Sequence, residues 1–412
     1  MNNQRLAIVD GVRTPFCKAG ADLAALGADE LGRIAVTALL TRTALDPALI
    51  DEVIFGCVAQ PADAANVARV IALRAGIPES VPAITVSRNC ASGFEALTQA
   101  QEKLRAGRGS IFVVGGAESM SNIPLLFNST AAKKFGRLAR AKTFAQRLGA
   151  LAAFRPSDFK PRIGLMLGLT DPVVGMNMGE TAEVLAREFA IPRPEQDAFA
   201  LQSHQHAAAA RARLADEICP VFKTGNGAGV VTQDVGPREN QSLAALAKLK
   251  PQFDRRHGTV TAGNASQITD GAVALLVMSE ARAKELGYAP LGFLAGYAYA
   301  GCDPKRMGLG PVHAIALAEK QTGLKPADAD VIEINEAFAA QTLAVVKSLG
   351  GIPSDRLNVN GGAIALGHPV GATGARLVLT ALRELKRRNA RRALVTLCVG
   401  GGQGAALWLE RT

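Results

Sequence analysis

Two rhythms alternate along the chain. Short unbroken apolar runs predict buried strands, and longer stretches with apolar positions three or four residues apart predict helices. A strand is expected at Leu6–Val9. Further on, Leu45-Asp46-Pro47-Ala48 followed by Asp51-Glu52-Val53-Ile54-Phe55 has the pattern of a helix end, a proline turn and a buried strand. The same order returns 279 residues later, as Leu324-Lys325-Pro326-Ala327 and then Asp330-Val331-Ile332-Glu333-Ile334.

The parallel extends further. A strand at Ala83–Val86, a helix running to Leu104, a basic turn and a strand at Ile111–Val114 ending in Gly115-Gly116 form one series. A strand at Leu357–Val359, a Gly-rich loop, a helix to Leu385, a basic turn and a strand at Ala393–Leu397 form the other. Alternation of this kind predicts an α/β protein with mixed sheets covered by helices, and the repeat predicts two similar halves packed together. We set the halves at residues 1–281 and 282–412.

Residues 123–176 match neither copy. They carry Lys133, Lys134, Arg137, Arg140, Lys142, Arg147, Arg155, Lys160 and Arg162 against the acids Asp158 and Asp171, and predict a partly helical, basic insertion. Within 131–162, Phe135, Leu138, Phe144, Leu148 and Leu151 recur mostly at three- and four-residue intervals, so a helix with one apolar face needing cover is expected. Such a segment fits a solvated face, a dock for phosphates or a partner subunit, or a weak anchor to anionic membrane. Helices are expected around Gly179–Phe189 and Arg193–Leu214, and the last strand of the first half at Ala272–Met278.

Composition narrows the class. A chain of 412 residues exceeds what one core usually organises. With 48% hydrophobic and 20% charged residues it is globular rather than disordered. Aromatics at 5% argue against a base-stacking nucleic-acid module. The formal charge of +10 suggests an anionic partner such as a phosphate-bearing cofactor or a membrane surface. Six cysteines without a C-x-x-C pair favour reduced thiols in the cytoplasm over a disulfide scaffold. No signal-peptide pattern opens the chain, and no apolar stretch approaches the ~18 residues of a spanning helix, so a soluble protein is expected.

Three residues could carry chemistry. Cys90, in Val86-Ser87-Arg88-Asn89-Cys90-Ala91-Ser92-Gly93, sits between a predicted strand and a helix; the helix N-terminus would favour its thiolate, and a core cysteine is the alternative. His368 stands in a loop of glycines with Pro369, where it is expected at a domain surface, as a reactive imidazole or a structural one. Cys398 precedes Val399-Gly400-Gly401-Gly402-Gln403-Gly404, whose backbone N–H groups could hold an oxyanion or simply form a tight turn. The spacing lacks the short paired intervals of a zinc site. His204 and His206, two apart on a predicted helix, are expected to be solvated.

Four segments in order now carry a resemblance: the Cys90 segment, Asn335-Glu336-Ala337-Phe338, Gly367-His368-Pro369, and Cys398-Val399-Gly400-Gly401-Gly402, with Val260-Thr261-Ala262-Gly263-Asn264-Ala265-Ser266 between the first two. Over Arg5 to about Glu410 the chain resembles the thiolase family. The resemblance implies a duplicated fold of two βαβαβαββ halves, and an acyltransferase that cleaves 3-oxoacyl-CoA with CoA, or runs the reverse Claisen condensation, through a Cys90 thioester. It implies that His368 activates Cys90 and, with a water held by Asn335, polarises the thioester carbonyl. Cys398 would move the α-proton, and the N–H groups of Cys90 and Gly400 would form a second oxyanion hole. Ser266 and Arg238 match CoA-binding positions, Met178 and Met307 line the acyl or pantetheine pocket, and Phe338 lies beside it. No metal or redox cofactor is implied, since coenzyme A is a substrate. Partners implied are a homodimer or homotetramer and, because 123–176 resembles the longer loop of the thiolase subunit of fatty-acid oxidation complexes, a partner subunit or peripheral membrane contact through 131–162. Asn177 replaces the His of many short-chain biosynthetic thiolases, which leaves acyl length open. Three rivals stand beside this reading: a 3-oxoacyl synthase on the same fold, an inactive lipid-binding relative, and a basic interaction module on the scaffold. Cys398, the Cys90–His368 combination and the complete set of placed roles, respectively, weigh against them.

Overall fold

The computed structural model describes residues 4–223 and 228–411. The first half runs β1 (Leu6–Arg13), β2 (Cys17–Lys18), α1 (Ala28–Thr43), β3 (Glu52–Gly56), α2 (Val67–Arg74), β4 (Ala83–Val86), α3 (Ser92–Arg105) and β5 (Ile111–Ser119). The insertion adds β6 (Leu125–Leu126), α4 (Ser129–Ala139), α5 (Phe144–Ala152), β7 (Arg162–Ile163) and α6 (Gly164–Gly168). The half closes through α7 (Met178–Glu188), α8 (Arg193–Ala209), α9 (Arg211–Leu214), the antiparallel pair β8 (Val221–Lys223) and β9 (Gly229–Val231), α10 (Leu243–Ala247) and β10 (Thr269–Ser279). α11 (Glu280–Glu285) contains the 281/282 junction. Then come β11 (Gly292–Gly301), α12 (Gly310–Thr322), β12 (Val331–Ile334), α13 (Ala339–Ser348), α14 (Ala363–Leu366), α15 (Thr373–Arg388), β13 (Arg392–Val399) and β14 (Gln403–Glu410).

Strands lie in the order β12-β13-β14-β11-β1-β10-β5-β3-β4, with β2 beside β10. β3 runs parallel to β4 and β5, and β12 to β13; the other pairings are antiparallel. Among the described residues the two half-sheets join through Leu6↔Leu294, Ala7↔Phe293 and Ile8↔Gly292 of β1 and β11. α3 and α15 pack between them, α1 and α2 cover the first half-sheet outside, and α12 covers the second. The two-residue period of a strand sorts the side chains between these layers. In β10, Val273, Leu275 and Val277 face the central layer, while Ala272, Ala274, Leu276 and Met278 face the outer core. Burial on both faces is why such strands are apolar without alternation.

The repeat holds locally. The proline turns are 3-10 turns at Pro47–Leu49 and Pro326–Asp328, each leading into its strand. The expected strand at Leu357–Val359 does not form: Leu357 makes one bridge to Ile332. Asn358 turns the backbone at φ +44°, and its carboxamide accepts from Ile334 N (2.9 Å) and donates to Ile334 O (2.9 Å), taking the place of a ladder. The single amphipathic helix expected over 135–151 is instead α4 and α5, broken where Thr143 caps α5 with a Thr–Gln146 box. Pairing of Leu125 with Ile163 and of Leu126 with Arg162 closes the base of the insertion.

In the central layer the first turns of α3 and α15 meet closely. Gly93 and Gly374 are each the second residue of their helix. A Cβ on Gly93 would lie 2.6 Å from Ala375 N, and one on Gly374 2.6 Å from Phe94 N. Gly374→Ala should therefore destabilise the protein by about 1–3 kcal/mol through overpacking against unyielding backbone. Gly136→Ala, on α4 with only Arg140 Nη2 nearby at 3.7 Å, should be neutral or slightly stabilising. Denaturant midpoints of the two variants check this; equal midpoints would mean that the helix ends can separate freely.

Candidate active site

Three loops from different parts of the chain converge on one cavity of about 430 Å³. Cys90 comes from the turn between β4 and α3, His368 from the loop between α14 and α15, and Cys398 with Gly400 from the turn joining β13 to β14. Met178, Met307, Phe338 and Ser266 line the same cavity. An adjoining cavity of about 650 Å³ shares Met178, Ser266, Phe338 and His368 and extends past Gln252 and Phe253. Phe253 meets Phe338 edge-on at 6.1 Å.

Cys90 lies two residues before α3, on a turn that Asn89 makes possible by taking φ +44°. Asn89 Nδ2 donates to Gly400 O at 2.7 Å and so ties this turn to the one after β13. Burial pushes the Cys90 thiol above its ordinary range, and the N–H groups of Gly400 and Cys90 pull it partly back. Against this burial stands the end of α3, which Cys90 precedes by two residues and which is expected to favour the thiolate. Burial also holds the Cys398 thiol well above its usual range, and the neighbouring Cys90 adds to it.

His368 is buried rather than placed at a surface, with 8% exposure. Its Nδ1 lies 2.6 Å from Thr373 Oγ1, which itself donates to Pro369 O at 2.9 Å. The hydroxyl hydrogen being spent there, Nδ1 is the donor and Nε2 keeps the lone pair. Nε2 stands 3.5 Å from Asn335 Nδ2. Burial, then the buried Arg376, lowers the imidazole to about 4, so it is neutral at neutral pH and able to take a proton. Asn335 is fully buried on the segment after β12, its N–H bound to Thr396 O at 3.0 Å, with Oδ1 unpaired among the described residues.

Arg238 lines neither cavity; it is exposed, and its backbone N donates to His204 Nδ1 at 3.2 Å. His204 is not solvated as expected, and His206 is half-buried. His204 is 3% exposed because α8 packs on α14, and His206 Nδ1 is 3.0 Å from Asn358 O. Among the described residues no group of three His, Cys, Asp or Glu is arranged to hold a metal ion.

Sequence reasoning missed Glu118, Asn89 and Thr373. Glu118 is buried at the end of β5 and accepts from Val58 N (3.1 Å), Ala59 N (2.9 Å) and Gly371 N (2.8 Å), pinning the loop of His368 to the first half. A lone carboxylate at the end of the apolar run Ile111-Phe112-Val113-Val114 was the signal available for it, because a buried charge requires such partners.

Family models for the thiolase N-terminal domain and the thiolase C-terminal domain match residues 6–281 and 288–411. The chain is 41% identical over 432 residues to a 3-ketoacyl-CoA thiolase of Serratia proteamaculans, covering 99% of this chain and 97% of that protein. It is 40% identical over 430 residues to one of Aeromonas salmonicida, at the same coverage. Among solved structures, the acetyl-CoA acetyltransferase of Bacillus anthracis superposes with TM-score 0.90 at 38% identity, covering 99% of this chain and 98% of that one. The human mitochondrial 3-ketoacyl-CoA thiolase in complex with CoA superposes with TM-score 0.88 at 37% identity and the same coverage.

The buried histidines carry a pH signature. His204 is lowered to about 4 by burial and by Arg238, whereas an unfolded histidine titrates near 6.5. As pH falls from 6.5 towards 4 the unfolded chain takes the proton first, so stability is lost across that window. His204→Gln keeps an acceptor for Arg238 N and does not titrate. Its stability should fall less between pH 7.5 and pH 5 than wild type, by roughly 1–2 kcal/mol in denaturant titrations. Identical losses would mean that His204 is not held neutral.

Proposed function

The chain belongs to the thiolase family, and from that membership and its cavity we propose that it cleaves 3-oxoacyl-CoA with CoA to acetyl-CoA and a shortened acyl-CoA, or runs the reverse condensation. The observation that carries this is the convergence of Cys90, His368 and Cys398 on one largely apolar cavity.

Each group has a task suited to its environment. His368 Nε2 takes the Cys90 proton as the sulfur attacks the ketone carbon. The N–H groups of Cys90 and Gly400 receive the oxyanion that forms. The bond between the α- and β-carbons then breaks, its electron pair passes to the acetyl-CoA enolate, and Cys398 supplies the proton to that carbon. Asn335, beside His368 Nε2, holds the water that helps stabilise the enolate oxygen. CoA next gives its thiol proton to Cys398 and attacks the Cys90 thioester; acyl-CoA leaves, and the imidazolium returns its proton to Cys90. The scheme uses thiols, an imidazole and amides, with coenzyme A as substrate and no metal or redox cofactor.

The cavity shared by Ser266, Met178 and Phe338 is the way in for the pantetheine arm, and exposed Arg238 is reserved for the phosphates outside it. Met120, Ile123, Leu165 and Leu169 give the Cys90 cavity an apolar wall supplied partly by the insertion, which supports acyl chains longer than acetoacetyl. β4 lies at the sheet edge with Ile84 42% exposed, an edge that a second copy would cover, which supports a homo-oligomer.

Outside, α5 presents Phe144, Leu148 and Leu151 at 82%, 58% and 53% exposure, amid Arg140, Lys142 and Arg147. Of the nine basic residues in 131–162, Lys134 alone forms an ion pair among the described residues, with Asp158 at 2.6 Å. An apolar row framed by free cations supports peripheral contact with anionic lipid. A location in the cytoplasm with part of the protein at the membrane follows as a proposal; no helix among the described residues is long and apolar enough to cross a bilayer.

Two experiments test these readings. After incubation with acetyl-CoA, peptide mapping should find the acetyl group on Cys90, and steady-state kinetics should be ping-pong. Cys398→Ser should still accept the acyl group while losing cleavage by ~10²-fold or more. Acyl on Cys398, or full activity in Cys90→Ser, would remove the assignment. Separately, sedimentation with anionic vesicles should be positive at low salt and fade as salt rises, and Phe144→Ser with Leu148→Ser should abolish it. No vesicle binding at low salt leaves the row for a partner subunit.

A further inference from the structure

Resting on the assignment of the Cys90 cavity to the acyl group, the geometry of α6 points to a residue that sets how long that group can be. Gly164, Leu165, Gly168 and Leu169 line the cavity, a spacing that puts them on one face of the helical turn. Met166 and Leu167 lie between them, 50% and 40% exposed. The two glycines on the inner face are not alike. A Cβ on Gly164 would lie 2.4 Å from Pro124 O, so that glycine is needed for α6 to sit against the chain before β6. A Cβ on Gly168 would meet nothing within 4 Å. Gly168 is also exposed, which places it at the outer end of the cavity.

Packing does not require a glycine at 168, the last residue of α6. Its φ is not positive, so no turn requires it either. What its missing side chain does is leave an opening in an otherwise apolar wall. We propose that Gly168 is the specificity-determining position through which the tail of a long, unbranched 3-oxoacyl-CoA leaves the cavity. Acetoacetyl-CoA, with no tail, has no use for the opening.

The test compares kcat/KM for 3-oxohexadecanoyl-CoA and acetoacetyl-CoA in the full chain with Gly168→Leu and Gly168→Ala. Leucine should lower the long-to-short ratio about tenfold or more, the size expected when extra methylenes block an apolar pocket, and alanine should lower it less. Leu167→Ala, on the opposite face of the same helix, should leave the ratio as in wild type. An unchanged ratio in Gly168→Leu overturns the proposal, including the case in which both substrates are lost equally. A wild-type protein confined to acetoacetyl-CoA overturns it too. Wild-type protein that cleaves neither substrate sinks the functional assignment itself, whereas long-chain cleavage indifferent to Gly168→Leu sinks only the role of Gly168.

Discussion

The first turns of α3 and α15 touch backbone to backbone, and the reactive geometry is inherited from that contact. Gly93 and Gly374 occupy the same position in their helices, and neither can carry a side chain without striking the other helix. Gly116 extends the contact, since a Cβ there would lie 2.0 Å from Gly371 O. Loops entering two helices whose ends touch must themselves lie side by side. Cys90 precedes α3 by two residues and His368 precedes α15 by five, so the halves meet where these two side chains emerge. Glu118 of the first half then binds Val58 N and Ala59 N on its own side and, across the junction, Gly371 N in the His368 loop. Asn89 ties the Cys90 turn to Gly400.

Close packing has an electrostatic price. Burial raises the Cys90 thiol and lowers the His368 imidazole, so both neutral forms are favoured over a resting thiolate–imidazolium pair. Arg376, fully buried and paired with Glu333 at 2.9 Å, adds its charge against imidazolium. In the reaction we propose, proton transfer from sulfur to nitrogen then belongs with attack on the carbonyl, when charge moves onto substrate oxygen and the N–H groups of Cys90 and Gly400 can receive it. Burial likewise favours the protonated Cys398 thiol, the state that the proposed scheme asks of it.

Features set by local rules were legible in the sequence. The unbroken apolar runs of β5 and β10, the paired proline turns and the Gly-rich loops follow from strand burial and turn chemistry. They led to the two-half α/β fold and to Cys90, His368 and Cys398 as candidates. Failures came where a distant contact decides. Nothing in α8 announces that α14 will cover His204. Leu357–Val359 has strand propensity, but Asn358 satisfies the backbone of Ile334 with its side chain instead. The spacing 135, 138, 144, 148, 151 suggested one helix, whereas Phe135 joins a ring cluster with Phe127, Phe154 and Phe159, and the α5 members form a separate and more exposed row.

Duplication explains why one scaffold yields one site rather than two. β5 and β13 are corresponding strands, and each ends beside the cavity. After β13 the chain turns back at once through Gly400, Gly401 and Gly402, with φ +92° and +80° at the last two. That turn must stay tight, because the Gly400 N–H serves Cys90 only while the carbonyl of the same residue is held by Asn89. After β5 no such demand exists, and the chain departs into the insertion before returning as β10. There the first half is free to wall the cavity with Ile123, Leu165 and Leu169 of the insertion. The second half is held by the Gly400 turn and by the loop that carries His368. The site is therefore shared: Cys90 comes from the first half, and His368, Cys398 and Gly400 come from the second.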